Sequence, residues 1–270
     1  MELRAAALEA LQIAEPAAKV AATRSLFEAR AGLAIDTTAA LQPQAPPPGR
    51  PERPLLVAPK DVPRRSPFTR EGRAALLHAV AHIEFNAINL ALDAIWRFPG
   101  LPAAYYRDWL TVAAEEAHHF GLLAEHLTTL GCRYGDHAAH DGLWTMCERT
   151  ALDATARMAL VPRTLEARGL DATPPMQKKL AQAGDETAVR ILGVILRDEV
   201  GHVAIGNRWY RWLCARDGLD PVAHDAVLAA RHGAPVPKGP FNLEARAAAG
   251  FTADELDALG APPRQGTLRA

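Results

Sequence analysis

The sequence predicts an all-α fold: four long helices gathered into a bundle, with helical and extended segments wrapped around it at both ends. Three observations carry that expectation. Hydrophobic residues make up 49% of the 270 residues while aromatics are only 6%, and alanine and leucine, both strong helix formers, dominate the apolar share. The β-branched runs that build sheets are scarce. Helix-length apolar segments alternate with glycine and proline breaks, and a chain of this length can bury one large core.

In chain order, residues 2–32 read as one or two short helices, restarted at Pro16. The stretch "LQPQAPPPGRPERPLLVAPKDVPRRSPFTREGR" holds too many prolines to be helical before about Thr69. A first long helix then spans Thr69 to Phe98 and stops at Pro99-Gly100. A second starts at Pro102, a residue suited to a first helical position, and runs to Gly131. "CRYGDHAAHDG" reads as a loop. A third helix covers about Leu143 to Arg168 and ends at Gly169, with a short extra helix after Pro174-Pro175. A fourth begins at Asp185, its N-cap, and continues to about Arg216. Residues 1–68 are therefore expected as an N-terminal wrapping arm, 69–216 as the bundle, and 217–270 as an extension packed on it.

A formal net charge of −1 gives no general attraction to nucleic acid or to an anionic membrane. Only the arm from Arg50 to Arg73 is locally basic, with Arg64-Arg65 at its centre; it is either a phosphate grip or a solvated connector. Cys132, Cys147 and Cys214 are widely spaced with no C-x-x-C pair, which argues against a disulfide framework or zinc ribbon and fits a reducing compartment. The N-terminus lacks the apolar centre of a signal peptide, and no run reaches the roughly 18 apolar residues of a membrane span. The expectation is a soluble cytoplasmic protein.

The chemistry lies in "EEAHHFGLL" and "RDEVGHVAIG". Each places a Glu and a His three positions apart, Glu116 with His119 and Glu199 with His202, inside an apolar helix. Residues at that spacing share a helix face. The two remaining long helices each carry a single carboxylate in apolar surroundings, Glu84 in "AVAHIEFNAINLAL" and Glu166 in "MALVPRTLEARG". Glu84 precedes Glu116 by 32 positions and Glu166 precedes Glu199 by 33, so the half-motif occurs twice. Glu84 and Glu116 lie 14 residues on either side of the first hairpin bend, about 21 Å along each helix, and therefore at one height. Glu166 lies only three residues before Gly169, so the second half needs its extra helix to recover the height.

Six inward ligands of this kind match a dinuclear carboxylate site in a four-helix bundle. Four buried carboxylates carry a charge that two divalent cations cancel, and burying even one unpaired would cost several kcal/mol, on the order of that estimated for an isolated ion. Oxygen and nitrogen donors suit iron or manganese. The expected cofactor is two iron ions or a mixed manganese/iron pair, held by Glu84, Glu116, His119, Glu166, Glu199 and His202. Glu115 and Asp198 are placed to accept the outward N–H of His202 and His119 respectively, or else are solvated helix charges. His118 falls off the site face, and His78, His82 and His126 read as packing or rim residues. Pro162 should kink the third helix beside the site, and Gly193, Gly201 and Gly206 make the fourth helix thin.

The strings "GRAALLHAVAHIEFNAINLALDAIWRF", "EEAHHFGLL", "MALVPRTLEARGLDATPP", "RDEVGHVAIGNRWY" and "PFNLEARAAAGF" resemble the ferritin-like family catalogued as domain of unknown function 455, over about residues 3 to 260. The resemblance implies a ferritin-like four-helix bundle with a dinuclear site at the six residues above. It also implies kinship with di-iron oxygenases, including a tRNA-modifying hydroxylase. The leading expectation is an oxidoreductase that uses dioxygen to oxidise or hydroxylate a small organic substrate, with electrons from a separate reductase because the chain has no flavin or iron–sulfur signature. A radical generator is disfavoured because no tyrosine lies within a helical turn of a ligand. Metal storage and tRNA binding through the basic arm are the alternatives, and a homodimer is left open.

Overall fold

The structure, a computed structural model, describes residues 1–63 and 65–260. Those residues form α-helices and connecting segments with no strand; two isolated bridges, Glu2 to Ala34 and Leu56 to Ala139, pin the N-terminal arm. Of the Arg64-Arg65 pair, Arg65 is exposed and Arg64 lies outside the described residues, as do 261–270 of the expected C-terminal extension.

Helix α1 (Leu3–Gln12) and α2 (Pro16–Glu28) are capped by the Glu2 and Glu15 carboxylates, which accept free backbone N–H groups of the first turn. Proline opens α2 as its first residue. Helix α3 (Arg70–Arg97) is capped by the Thr69 hydroxyl, and α4 (Ala103–Thr129) follows Pro102 and ends before Gly131, whose φ of 73° reverses the chain. Helix α3 is long and apolar enough to cross a membrane by composition, but most of that stretch is buried here against α1 and α4. These two helices form the first long hairpin.

The second hairpin departs from expectation. The predicted third helix is split at its start: α5 (Gly142–Arg149) ends at Thr150, and α6 (Ala154–Leu160) begins after the Asp153 cap. From α6 the rod continues through a π-helical stretch, Val161–Glu166, into α7 (Ala167–Gln182) without stopping at Gly169. There is no separate helix after Pro174-Pro175, because both prolines lie inside α7. Proline at 174 removes the N–H that would reach the Leu170 carbonyl. That carbonyl instead accepts the Asn242 side-chain amide at 3.2 Å, so a tail residue replaces the lost bond. Glu166 consequently lies about 24 Å before the end of α7, close to the height of Glu199 on α8 (Glu186–Asp217) above the same bend. Asp185 caps α8 through the Ala188 N–H at 3.0 Å.

Helices α4 and α8 pack against each other and join the two hairpins. The tail adds α9 (Pro221–His232), α10 (Leu243–Ala248) and α11 (Ala253–Gly260) along α6, α7 and α8. One large core of buried alanine, leucine and aromatic side chains runs through the hairpins and α1.

Candidate metal centre

Four straight or bulged rods bring the six sequence-marked residues to one level in the interior. Glu84 comes from α3, Glu116 and His119 from α4, Glu166 from the last π-helical residue, and Glu199 and His202 from α8; all six are buried. Ligand-type atoms of Glu84, Glu116, His119 and Glu199 lie within 4.8 Å of one another, a grouping able to hold a metal ion. His202 adjoins that group through Nδ1, 3.0 Å from Glu116 Oε1 and 3.8 Å from Glu199. Glu166 stands outside the tight group, and neither of its carboxylate oxygens has a hydrogen-bond partner among the described residues.

The two imidazoles are oriented alike. His119 turns Nδ1 toward Glu84 (3.2 Å) and Glu116 (3.3 Å) and Nε2 toward Asp198 at 3.1 Å. His202 turns Nδ1 inward and Nε2 to Glu115 at 2.7 Å. Each pair crosses between α4 and α8, so the carboxylate preceding one Glu orients the histidine of the other helix. An Nε2–H donated outward leaves the Nδ1 lone pair facing inward, which is the tautomer a metal ligand needs. Glu116 points one oxygen at each imidazole and is the hub of the cluster.

Without a cation this arrangement is electrostatically expensive. Burial lifts Glu84, Glu166 and Glu199 above the usual carboxylate range, and a neighbouring carboxylate lifts each further: Glu116 for Glu84 and Glu199, Glu199 for Glu166. Burial opposes the charge on His119, but hydrogen bonds to Glu116 and Glu84 outweigh it and push the imidazole up to about 11. Burial also works against an ionised Glu116, yet the His202 charge and the bond to His119 hold it low. The set is balanced only by drawing protons onto the ring nitrogens that face inward, where a divalent cation would sit instead. Among the described residues, partnerless buried oxygens on Glu166 and Glu199 add to that demand. The residues present fit a metal site.

The bulge explains how Glu166 arrives. A π turn inserts a residue into the α-helical register and so rotates the helix beyond it. Pro162 sits in that turn, and Gly206 of α8 lies against it so closely that a Cβ there would fall 2.5 Å from the proline Cβ. Gly206 thus permits close helix approach, whereas a Cβ at Gly201 would meet nothing within 4 Å. Of the other histidines, His78 accepts the Gly135 N–H, His82 bonds Tyr134 and His126 bonds Asp185; His118 is exposed beside Arg24.

A cavity of about 840 Å³ opens onto the cluster between α3 and α7, and Glu84, Glu166 and Glu199 form part of its lining. Helix α5 covers one side and Gly233 and Pro235 of the tail reach its edge. Sequence reasoning missed this cavity and also Arg163, the buried brace of the π stretch. Arg163 bonds Asn207 of α8, Asp225 of α9 and Glu255 of α11. A lone arginine beside an apolar run gave no signal of its own.

Comparison with known proteins agrees with the chain-wide reach of these motifs. A protein of Haemophilus influenzae (strain ATCC 51907 / DSM 11121 / KW20 / Rd), described as an uncharacterized protein, is 58% identical over 214 residues, covering 77% of this chain and 74% of that one. No solved structure matches. The family described as "Protein of unknown function (DUF455)" matches residues 12–257. This chain belongs to the DUF455 family.

Proposed function

We propose that the protein is a ferritin-like dimetal carboxylate oxidoreductase, in which Glu84, Glu116, His119, Glu166, Glu199 and His202 hold two iron ions or a manganese/iron pair. The observation that carries this reading is the crossed pairing of the two histidines, each locked by a carboxylate from the opposite helix with its other nitrogen aimed into four buried glutamates. A surface helix charge would have no need of such locking. The order of the rods, the doubled Glu-x-x-His and the inward carboxylates suit a four-helix bundle, with residues 1–68 and 217–270 wrapping a 69–216 core.

When bound, such a metal pair supplies a redox-active Lewis acid able to activate dioxygen. The chain's own contribution is placement. Glu115 and Asp198 hold the Nε2 protons of His202 and His119 outward. Glu116 faces both imidazoles, and the cavity brings an organic substrate to the three other carboxylates while its apolar walls exclude water. A separate reductase provides the electrons. The three cysteines are free and buried, in keeping with work in a reducing cytoplasm.

Anaerobic titration with iron(II) tests the reading. Binding of about two cations per chain, followed by dioxygen uptake faster than that of free iron(II), is the expected result. Saturation well below one cation per chain would overturn it. Two bound cations with no reaction toward dioxygen would reduce it to metal binding alone.

A further inference from the structure

The large cavity is built asymmetrically, and its construction bears on what occupies it. Val80, Ile83 and Ala87 of α3 recur at helical spacing and form one apolar wall; Leu165, Ala172 and Met176 form the facing one. Glu84 and Glu166 interrupt these walls at one level, and Ile195 and Glu199 of α8 close the floor. The body of any occupant therefore lies along hydrocarbon and meets polar groups at the carboxylate cluster. At about 30 Å³ per non-hydrogen atom, the space takes roughly 20 to 30 such atoms. Ile83 keeps 49% of its surface exposed at the edge, so the entrance is apolar too.

Charge at the outer edge is one-sided. Arg149 and Arg168 both line the cavity and both are exposed. Arg149 donates to the His232 and Gly233 carbonyls, neutral partners that leave its charge uncancelled. Asp141, the acid at the same edge, is already engaged by Arg50 at 2.5 Å. An anionic head group is attracted to this mouth, whereas a cationic one is repelled.

We propose that the cavity binds an amphipathic monoanion, an alkyl or arylalkyl carboxylate, with its head at Arg168 and Arg149 and its chain lying between the α3 and α7 walls past Glu84 and Glu166. As a substrate class this rests on the proposed dimetal function, but the binding itself does not require a metal. The test uses the full chain, both metal-free and loaded with iron(II) under argon, with 11-(dansylamino)undecanoic acid as fluorescent probe and dodecanoate or dodecanol as competitor.

Dodecanoate is expected to displace the probe at least about tenfold more effectively than dodecanol, the value of one charge-assisted contact. Arg168→Glu should weaken the probe and remove that preference, while the dissociation constant of dodecanol, extracted from the competition with the variant's own probe affinity, stays unchanged. Ala172→Trp, a change at an exposed wall position, should block both ligands, and Ile83→Trp serves as a second block should the first variant fold poorly. Equal displacement by acid and alcohol, or probe binding that survives both tryptophans, would overturn the proposal. Carboxylate-selective binding by a protein that takes up no iron would sink the dimetal reading and leave this one standing. Iron uptake without saturable probe binding would do the reverse.

Discussion

The two hairpins each contribute two glutamates and one histidine to the centre but are built differently. In the α3–α4 half both rods are regular, and the Glu84 and Glu116 carboxylates both bond the His119 ring between them. In the α7–α8 half the rod is bulged, Glu166 has two unpartnered oxygens, and the cavity runs alongside it. The bracing differs as well. The N-terminal segment grips α3 with cations on neutral partners: Arg4 on the Ile95 and Trp96 carbonyls, and Lys19 on Asn89 and the Gly49 carbonyl. The tail grips the second half with ion pairs, Arg163 to Asp225 and Glu255 and Arg246 to Asp171. One half is a fixed anchor; the other combines an adjustable carboxylate with an opening.

That contrast predicts unequal consequences of removing one carboxylate. Glu116→Gln disables the hub between both imidazoles, so metal analysis after iron(II) loading should fall from about two cations per chain to nearly none. Glu166→Gln should retain about one, because the tight group of four survives it. Equal losses from the two variants would erase the distinction between anchor and adjustable half.

The asymmetry marks the limit of what could be read in advance. Glu84, Glu116, His119, Glu199 and His202 were legible because regular helices convert sequence spacing directly into shared faces and matched heights. The four helix starts at Pro16, Thr69, Pro102 and Asp185 were legible because capping is local chemistry. Gly169 and Pro174-Pro175 misled for the complementary reason. Their usual meaning as breaks assumes that no distant group repairs the helix, and here Asn242, 68 residues on from Pro174, does so. The cavity was invisible because it is a property of how far α3 and α7 stand apart, which no single segment encodes.

The braces offer a second, smaller contrast. Arg163→Met leaves Glu255 and Asp225 facing a buried apolar group and should cost about 3 kcal/mol in urea unfolding, a typical penalty for breaking a buried pair. Lys19 behaves oppositely. Burial and the nearby Arg50 charge lower its ammonium to about 7, so between about pH 7 and its unfolded value near 10.5 the unfolded chain binds the extra proton. Stability from this group therefore rises with pH across that window, by up to about 1.4 kcal/mol per pH unit, and is lost as pH falls to 7. Lys19→Met should flatten the slope in urea titrations run from pH 7 to 10. A slope unchanged by the substitution would show that the buried Lys19 ammonium carries no such cost in the folded chain.

The smallest effects separate the two faces of α8. A methyl at Gly206 has no room, since its Cβ would lie 2.5 and 2.6 Å from the Pro162 ring carbons. Proline cannot rotate away, so the π stretch or α8 must shift, and Gly206→Ala should destabilise by about 1–3 kcal/mol. Gly201 is about 1.4 turns away on an open face of the same helix, and alanine there removes backbone freedom from the unfolded chain at no steric cost. Gly201→Ala should stabilise by about 0.5–1 kcal/mol. The pair shares a helix, a residue type and a substitution, so opposite signs in thermal unfolding isolate the contact with the bulge. If both variants were stabilised, Pro162 would not be pressed against α8, and the rigid seat that presents Glu166 would have to be sought in Arg163 and the tail alone.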